Sequence, residues 1–316
     1  MERARAGLER TPREVALGAE LSLRVQRLDG LLASWETIGG CGAGTSTSAG
    51  GGLKWIGHSV TGGLFNLQTQ ASYSHLDDGY IVTISSQISR DVGERWVLGA
   101  AAPYLYKYYF DYKALTPPVD ISNSGVGDVS AFVTRKFGEI KATAVTLSVG
   151  FPTGTHDAAY RADYLSQEKQ LGSGRLTGSV ALDHTLDEQW GVIVLGGSVA
   201  YRGGKNDLGN YRAPTGSAYG YLGYFTGPFV PSLGLTLQRY FGVDRDRGLE
   251  QQMHLMSLTA AAAVEWSTDT VALLGGISVP FGWEAGSAAP AGAVDTAQQP
   301  GFQPWTIGVG LTLSPF

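Results

Sequence analysis

Charge is scarce in this chain: charged residues make up 16% of its 316 positions, where a soluble domain carries roughly 25%. No stretch approaches the ~18 consecutive apolar residues that a membrane-crossing helix needs, so any span of a bilayer must be built from strands. The single cysteine, Cys41, has no partner for an internal disulfide and excludes a four-thiolate zinc site. Basic residues do not outnumber acidic ones. With a net charge of −5 and a pI of about 5.5, the chain has no general basic surface for a phosphate backbone, and nucleic acid is not an expected partner. The N-terminal Met1-Glu-Arg-Ala-Arg-Ala-Gly7 lacks the apolar core of a signal peptide, which counts against export unless a leader has been removed.

Glycine is abundant instead, at 45 positions, alongside 7 Trp, 15 Tyr and 11 Phe, a pairing that suits many strands with aromatic ends. Period-two alternation recurs along the chain and the helical period almost never does. Val15, Leu17, Ala19, Leu21, Leu23 and Val25 share one face, with Glu20, Ser22, Arg24 and Gln26 on the other. That strand is long enough to cross a bilayer at a tilt. The same pattern predicts strands over 64–76, 80–90, 96–109, 127–137, 142–151, 174–186, 190–202, 217–226, 229–241, 253–267, 270–281 and 305–313.

The connections alternate in length. Short ones fall at 91–95, 138–140, 187–189, 227–228 and 269, and long ones at about 111–126, 155–173, 203–216, 242–252 and 282–304. Tight turns on one side and long loops on the other are the rhythm of an outer-membrane barrel. An even count follows in two ways. Asp29-Gly30 signals a hairpin, so 31–38 as a short second strand makes 14; dropping the first strand makes 12. The expected fold is an all-β, transmembrane antiparallel barrel of 12–14 strands, with residues 1–13 as an N-terminal extension and 14–316 as one barrel. The run 39–52, almost entirely Gly, Ala, Ser and Thr, reads as a loop.

Several strands place apolar residues on one face and small or polar ones on the other: Val145, Leu147 and Val149 against Ala144, Thr146 and Ser148, and Leu233, Leu235 and Leu237 against Ser232, Thr236 and Gln238. Lipid on the outside and water inside would require this, although a half-exposed soluble sheet shows the same alternation. Aromatic placement favours the barrel. Trp96, Phe137, Trp190, Phe225, Phe229 and Trp266 flank the short turns; Tyr104, Tyr106, Tyr108, Tyr109, Phe151, Tyr201, Tyr240, Phe241, Phe281, Trp283 and Trp305 lie toward the long loops. Two interfacial girdles are therefore expected.

The closing segment Thr306-Ile-Gly-Val-Gly-Leu-Thr-Leu313 resembles the insertion signal of outer-membrane barrels, with Thr306, Gly308, Leu311 and Leu313 in the signal positions and the chain ending at Phe316. Pro315 intervenes there, and Phe316 falls out of phase with the two leucines. A second resemblance covers about 120–280. Ser124-Gly-Val-Gly-Asp-Val129, Gly150-Phe-Pro-Thr-Gly-Thr155 and Leu171-Gly-Ser-Gly174 resemble recurring blocks of the outer-membrane family named for the meta-cleavage pathway of phenol degradation. The resemblance implies a barrel transporter of small compounds, aromatic or hydrophobic ones among them.

Little points to catalysis. Of His58, His75, His156, His184 and His254, only His184 adjoins a carboxylate in a strand, and alternation puts Asp183 on the opposite face. His156-Asp157 has no further metal ligand at useful spacing. Ile38-Gly-Gly-Cys41 loosely resembles a lipidation box, but the charges upstream of it deny the apolar leader such processing requires. Gly125-Val-Gly127 has no following helix to receive a phosphate. No cofactor and no enzymatic activity are expected.

The candidate lumen-lining charges are Glu20, Arg24, Asp128, Arg175, Asp183, Arg202 and Glu265, of both signs, so they could line water or pair across it. Arg239 shares the leucine phase and must snorkel to the interface. The expectation is a bacterial outer-membrane channel passing small solutes, open or partly constricted by a loop. A structural or docking barrel with a blocked lumen is the alternative. Expected partners are outer-membrane lipid, the barrel-assembly machinery and a small-molecule solute, with oligomeric state left open.

Overall fold

A computed structural model describes residues 65–76, 79–93, 95–112, 119–138, 143–160, 163–165, 169–246, 249–250, 256–268, 271–283 and 305–313. The predicted strand at Val15–Val25, the 31–38 segment, Cys41, Glu20, Arg24, His58, His254 and Phe316 lie outside these residues. No helix among the described residues is long and apolar enough to cross a membrane.

The strands run in chain order as β1 (Asn66–Leu76), β2 (Gly79–Val92), β3 (Trp96–Tyr112), β4 (Val119–Val126), β5 (Val129–Phe137), β6 (Thr143–Phe151), a short hairpin β7 (Ala159–Tyr160) and β8 (Asp163–Tyr164), β9 (Thr177–Glu188), β10 (Gly191–Arg202), β11 (Thr215–Tyr224), β12 (Phe229–Tyr240), a second short hairpin β13 (Arg245–Asp246) and β14 (Leu249–Glu250), β15 (Met256–Ser267), β16 (Val271–Trp283) and β17 (Thr306–Leu313). Each wall strand pairs antiparallel with its sequence neighbour in the wall, and β1 pairs with β17 to close the sheet, Leu67 opposite Leu313 and Ser74 opposite Thr306. Strand β3 pairs with β5 along its lower half and with β4 along its upper half. Counting β4 and β5 as one interrupted strand, the wall is a closed barrel of 12 strands, the lower of the two expected counts. Closure leaves no sheet edge to lipid along the membrane-spanning wall.

Two expectations need correction. The segment 111–126 was expected as a loop, yet it contains β4. Its outward positions, Asp120, Ser122 and Ser124, are polar because the strand projects beyond the lipid, so it lacks the apolar phase of the others. The aromatic assignment also fails at three positions. Tyr109 and Tyr240 turn inward and are buried, because they share the phase of Leu105 and Lys107 in β3 and of Val230 and Thr236 in β12, and Phe225, in the phase of Tyr221, packs against the inner cluster of Val192, Val194 and Tyr221.

The rest of the outer face agrees with a lipid-facing surface. Leu67, Ile84, Ile88, Leu98, Leu147, Leu182, Leu195, Leu233, Leu235 and Val309 are exposed, while Gln68, Gln70, Ser85, Gln87, Ser130, Thr134, Thr146, Thr185, Thr236 and Thr312 are buried on the inner face. This inverts a soluble protein's distribution and is the signature of a barrel in lipid. Trp96, Phe137, Trp190 and Phe229 are exposed at the short-turn end, where the Arg135 guanidinium lies over the Trp96 and Phe137 rings at 5.1 and 5.0 Å. At the long-loop end Tyr73 stacks on Tyr80 (5.6 Å), Tyr80 on Tyr108 (5.3 Å), and Tyr108 meets Phe110 edge-on. Arg239 lies over Phe241 at 5.7 Å, snorkelling outward.

The glycines serve the wall's interior packing. A Cβ on Gly99 would enter the Phe132 ring, one on Gly196 the Tyr219 ring, and one on Gly234 the Tyr221 ring. Each aromatic thus lies flat across a neighbouring strand that has no side chain there, covering exposed backbone.

Candidate functional site

Strand β6 ends at Phe151, and the next wall strand, β9, begins only at Thr177. The chain between them folds into the barrel mouth. Its Leu165 side chain packs in a buried cluster with Leu76, Ile81, Tyr109 and Ile121 from the inner faces of β1 to β4. Lys107, fully buried, donates from Nζ to the Gln170 carbonyl at 2.6 Å, Asn123 Nδ2 donates to the Lys169 carbonyl at 3.0 Å, and Lys169 Nζ sits 3.6 Å from the centre of the Tyr109 ring. Gln170 holds the segment's own fold, accepting from the Ala158 amide and donating to the Ala158 and Leu165 carbonyls.

The three Gly-rich blocks come together where this segment leaves and rejoins the wall. Asp128 lies between β4 and β5, not within a strand as the alternation predicts. Its Oδ1 accepts from the Gly154 amide at 3.0 Å and its Oδ2 from the Ser173 amide at 2.8 Å, so one carboxylate clamps both ends of the inward segment. Thr153 Oγ1 donates to the Gly127 carbonyl and accepts from the Val129 amide. The Thr155 carbonyl accepts from the amides of Leu171 and Gly172. Gly154 and Gly172 pass backbone to backbone; a Cβ on Gly172 would overlap the Gly154 carbonyl. Glycine is needed here for close approach.

Mid-barrel, Asp183 on β9 is buried and accepts from the Tyr219 hydroxyl of β11 at 2.7 Å, while Glu265, near the short-turn end of β15 and opposite Val230, is buried on the inner face. His184 is exposed on the other face, with its Nδ1 2.8 Å from Thr143 Oγ1. His156 Nε2 lies 3.1 Å from Asp207 Oδ1. Among the described residues no three His, Cys, Asp or Glu side chains are grouped as a metal site.

A second charged group stands at the long-loop end. Arg202 closes β10 on its inner face, opposite Thr177. Arg175 precedes β9 by two residues rather than standing in the predicted strand, is buried, and donates from Nη1 to the Gly204 carbonyl. Arg212 and Asp244, both buried and both in loops, form an ion pair at 2.9 Å, and the Ala213 amide donates to the other Asp244 oxygen at 2.7 Å. Burial, and then the repulsion of Arg212 and Arg202, lowers the Arg175 guanidinium pKa to about 10.

Asp128, Arg175, Asp183, Arg202 and Glu265 therefore do not form one row. Asp128 belongs to the clamp, Asp183 to the middle of the wall, Glu265 to its short-turn end, and the two arginines to the outer end. Sequence reading missed Lys107, although its phase with Leu105 and Tyr109 would have turned it inward. It also missed Arg212 and Asp244, for which loop sequence offers no periodic signal.

No family model matches the chain, and no curated protein matches it. Among solved structures, an outer-membrane channel from Pseudomonas putida is similar with a TM-score of 0.59 at 13% identity, over 81% of this chain and 96% of that one. The translocator domain of an autotransporter from Neisseria meningitidis (TM-score 0.45, 12% identity, 96% and 98% covered) and a Pseudomonas aeruginosa FadL homologue (0.43, 8%, 92% and 98%) are more distant and add nothing to the assignment. The first likeness, together with the closed sheet and its apolar outer face, gives the chain the fold of an outer-membrane β-barrel.

Proposed function

We propose that this barrel is a passive channel of the bacterial outer membrane for small solutes, with the inward segment between β6 and β9 as its constriction. The observation that carries the reading is the polar inner wall. Gln68, Gln70, Ser130 and Thr259 are buried on it with side-chain oxygens or nitrogens that have no partner among the described residues. A polar inner face behind an apolar outer one is the arrangement of a barrel whose lumen admits water. The resemblance of the Gly-rich blocks to transporters of aromatic compounds supports aromatic or hydrophobic solutes among those passed. Insertion into outer-membrane lipid by the barrel-assembly machinery belongs to the same reading.

Proteoliposome swelling tests it. Vesicles carrying the purified chain should swell in isosmotic solutions of small neutral solutes and should slow as solute size rises. Swelling no faster than in protein-free vesicles would remove the channel reading. A structural or docking barrel is the competing account, favoured by the inward segment fixed at both ends by Asp128, and it requires no swelling at any solute size.

A further inference from the structure

Arg175, Arg202, Arg212 and Asp244 stand close enough at the outer end to act on one another. Asp244 is fully engaged, one oxygen with Arg212 and the other with the Ala213 amide, so its charge is committed to Arg212. Arg175 is different. Its Nη1 is held by the Gly204 carbonyl, but Nε and Nη2 are buried with no partner among the described residues.

Those two atoms are not an arbitrary pair. Nη1 lies on the Cδ side of the guanidinium, so Nε–H and Nη2–H share the opposite edge and point in parallel. That edge matches two oxygens of a carboxylate or phosphate. Buried donors left unmet are costly, and a bound oxyanion would replace them with two charge-assisted hydrogen bonds. Arg202 and Arg212 lie within electrostatic reach of Arg175 as well. Gly204, whose carbonyl fixes the guanidinium, borders open space, since a Cβ built on it meets nothing within 4 Å.

We infer that the outer end of the barrel holds an oxyanion site, in which the Nε/Nη2 edge of Arg175 takes two oxygens of a small anion and Arg202 supplies the attracting field. The oxyanion is carried by a solute carboxylate or is free phosphate. In the first case the site deepens the channel reading, on which it then rests: the barrel would concentrate acids, aromatic acids included, at its mouth.

Calorimetric titration of the full chain in detergent tests the site without any need for transport. The probes are benzoate, inorganic phosphate and, as a neutral analogue, benzyl alcohol, at fixed ionic strength. Saturable heat from benzoate, absent for benzyl alcohol and weakened at least tenfold in Arg175→Gln, supports a carboxylate site. The same loss for phosphate alone supports the site and assigns it to free phosphate. Arg175→Lys keeps the charge but loses the paired edge and should weaken binding severalfold. Where Arg175→Gln fails to fold, as judged by its heat-modifiable migration, Arg202→Gln serves, with an expected severalfold loss. No saturable binding of either anion, or equal binding in the variants, overturns the proposal. Binding without proteoliposome swelling would sink the channel reading and leave the site standing; swelling without binding would do the reverse.

Discussion

The amide of Ser173 donates to Asp128 across 45 residues of sequence, at 2.8 Å, while the other oxygen of the same carboxylate holds Gly154. This residue between β4 and β5 fixes where the chain enters and leaves the barrel mouth. Replacing Asp128 by Ala orphans two buried amides, at a cost of about 1–3 kcal/mol each. Asp128→Asn retains one acceptor and should lose less. Limited trypsin digestion of the folded protein reads the effect: Lys169, buried in the parent, should become a cleavage site in Asp128→Ala. Equal protection in both proteins would show that the carboxylate does not hold the segment.

Gly172→Ala should release the same segment by a different cause. The added methyl would overlap the Gly154 carbonyl, which as backbone cannot yield cheaply, whereas Gly275, on the outer face of β16, has open space around it. Trypsin sensitivity at Lys169 is expected in Gly172→Ala and not in Gly275→Ala. Indistinguishable digestion patterns would mean the close approach is unimportant.

Tyr219 and Asp183 bond across two strands, with the phenol as donor at 2.7 Å. Tyr219→Phe removes a bond to a charged acceptor and should lower stability to denaturant by about 1.5–3 kcal/mol. Asp183→Asn removes an inward negative charge, and the reversal potential across a salt gradient should shift toward anions. An unchanged reversal potential would place Asp183 off the conduction path.

Leu311 and Leu313 face outward on β17, the strand that closes the barrel on β1, while Thr312 faces inward. Leu311→Asp puts a charge on the lipid face, costing up to about 2–4 kcal/mol at the midplane and less toward an interface. Leu313, nearer the strand end, should tolerate the change better. Protease protection in cells should show poor insertion for Leu311→Asp and normal insertion for Thr312→Ser. Full insertion of Leu311→Asp would contradict the assigned faces.

Most of the wall was legible because lipid and lumen impose opposite chemistry on alternate residues, as in Leu233, Leu235 and Leu237 against Ser232 and Thr236. Where that contrast fades, so does the reading. Asp120, Ser122 and Ser124 stand above the lipid, so β4 looked like a loop. Tyr109, Phe225 and Tyr240 sit at the height of the girdles but in the inner phase, and height alone misplaced them. Asp128, Arg175 and Arg202 stood out as charges in an otherwise neutral setting. The partners of Asp128 and Arg175 did not, because the Gly154 and Ser173 amides and the Gly204 carbonyl carry no sequence signal, and the ion pair of Arg212 with Asp244 was hidden because it joins two loops across 32 residues.

Single-channel recording in planar bilayers tests the central claim most directly, with the purified parent chain set beside Asp128→Ala. A conducting barrel constricted by the segment between β6 and β9 should give small, discrete current steps in the parent and larger ones once the clamp is removed. Absence of current from both proteins at every applied potential, with insertion verified, would contradict the account.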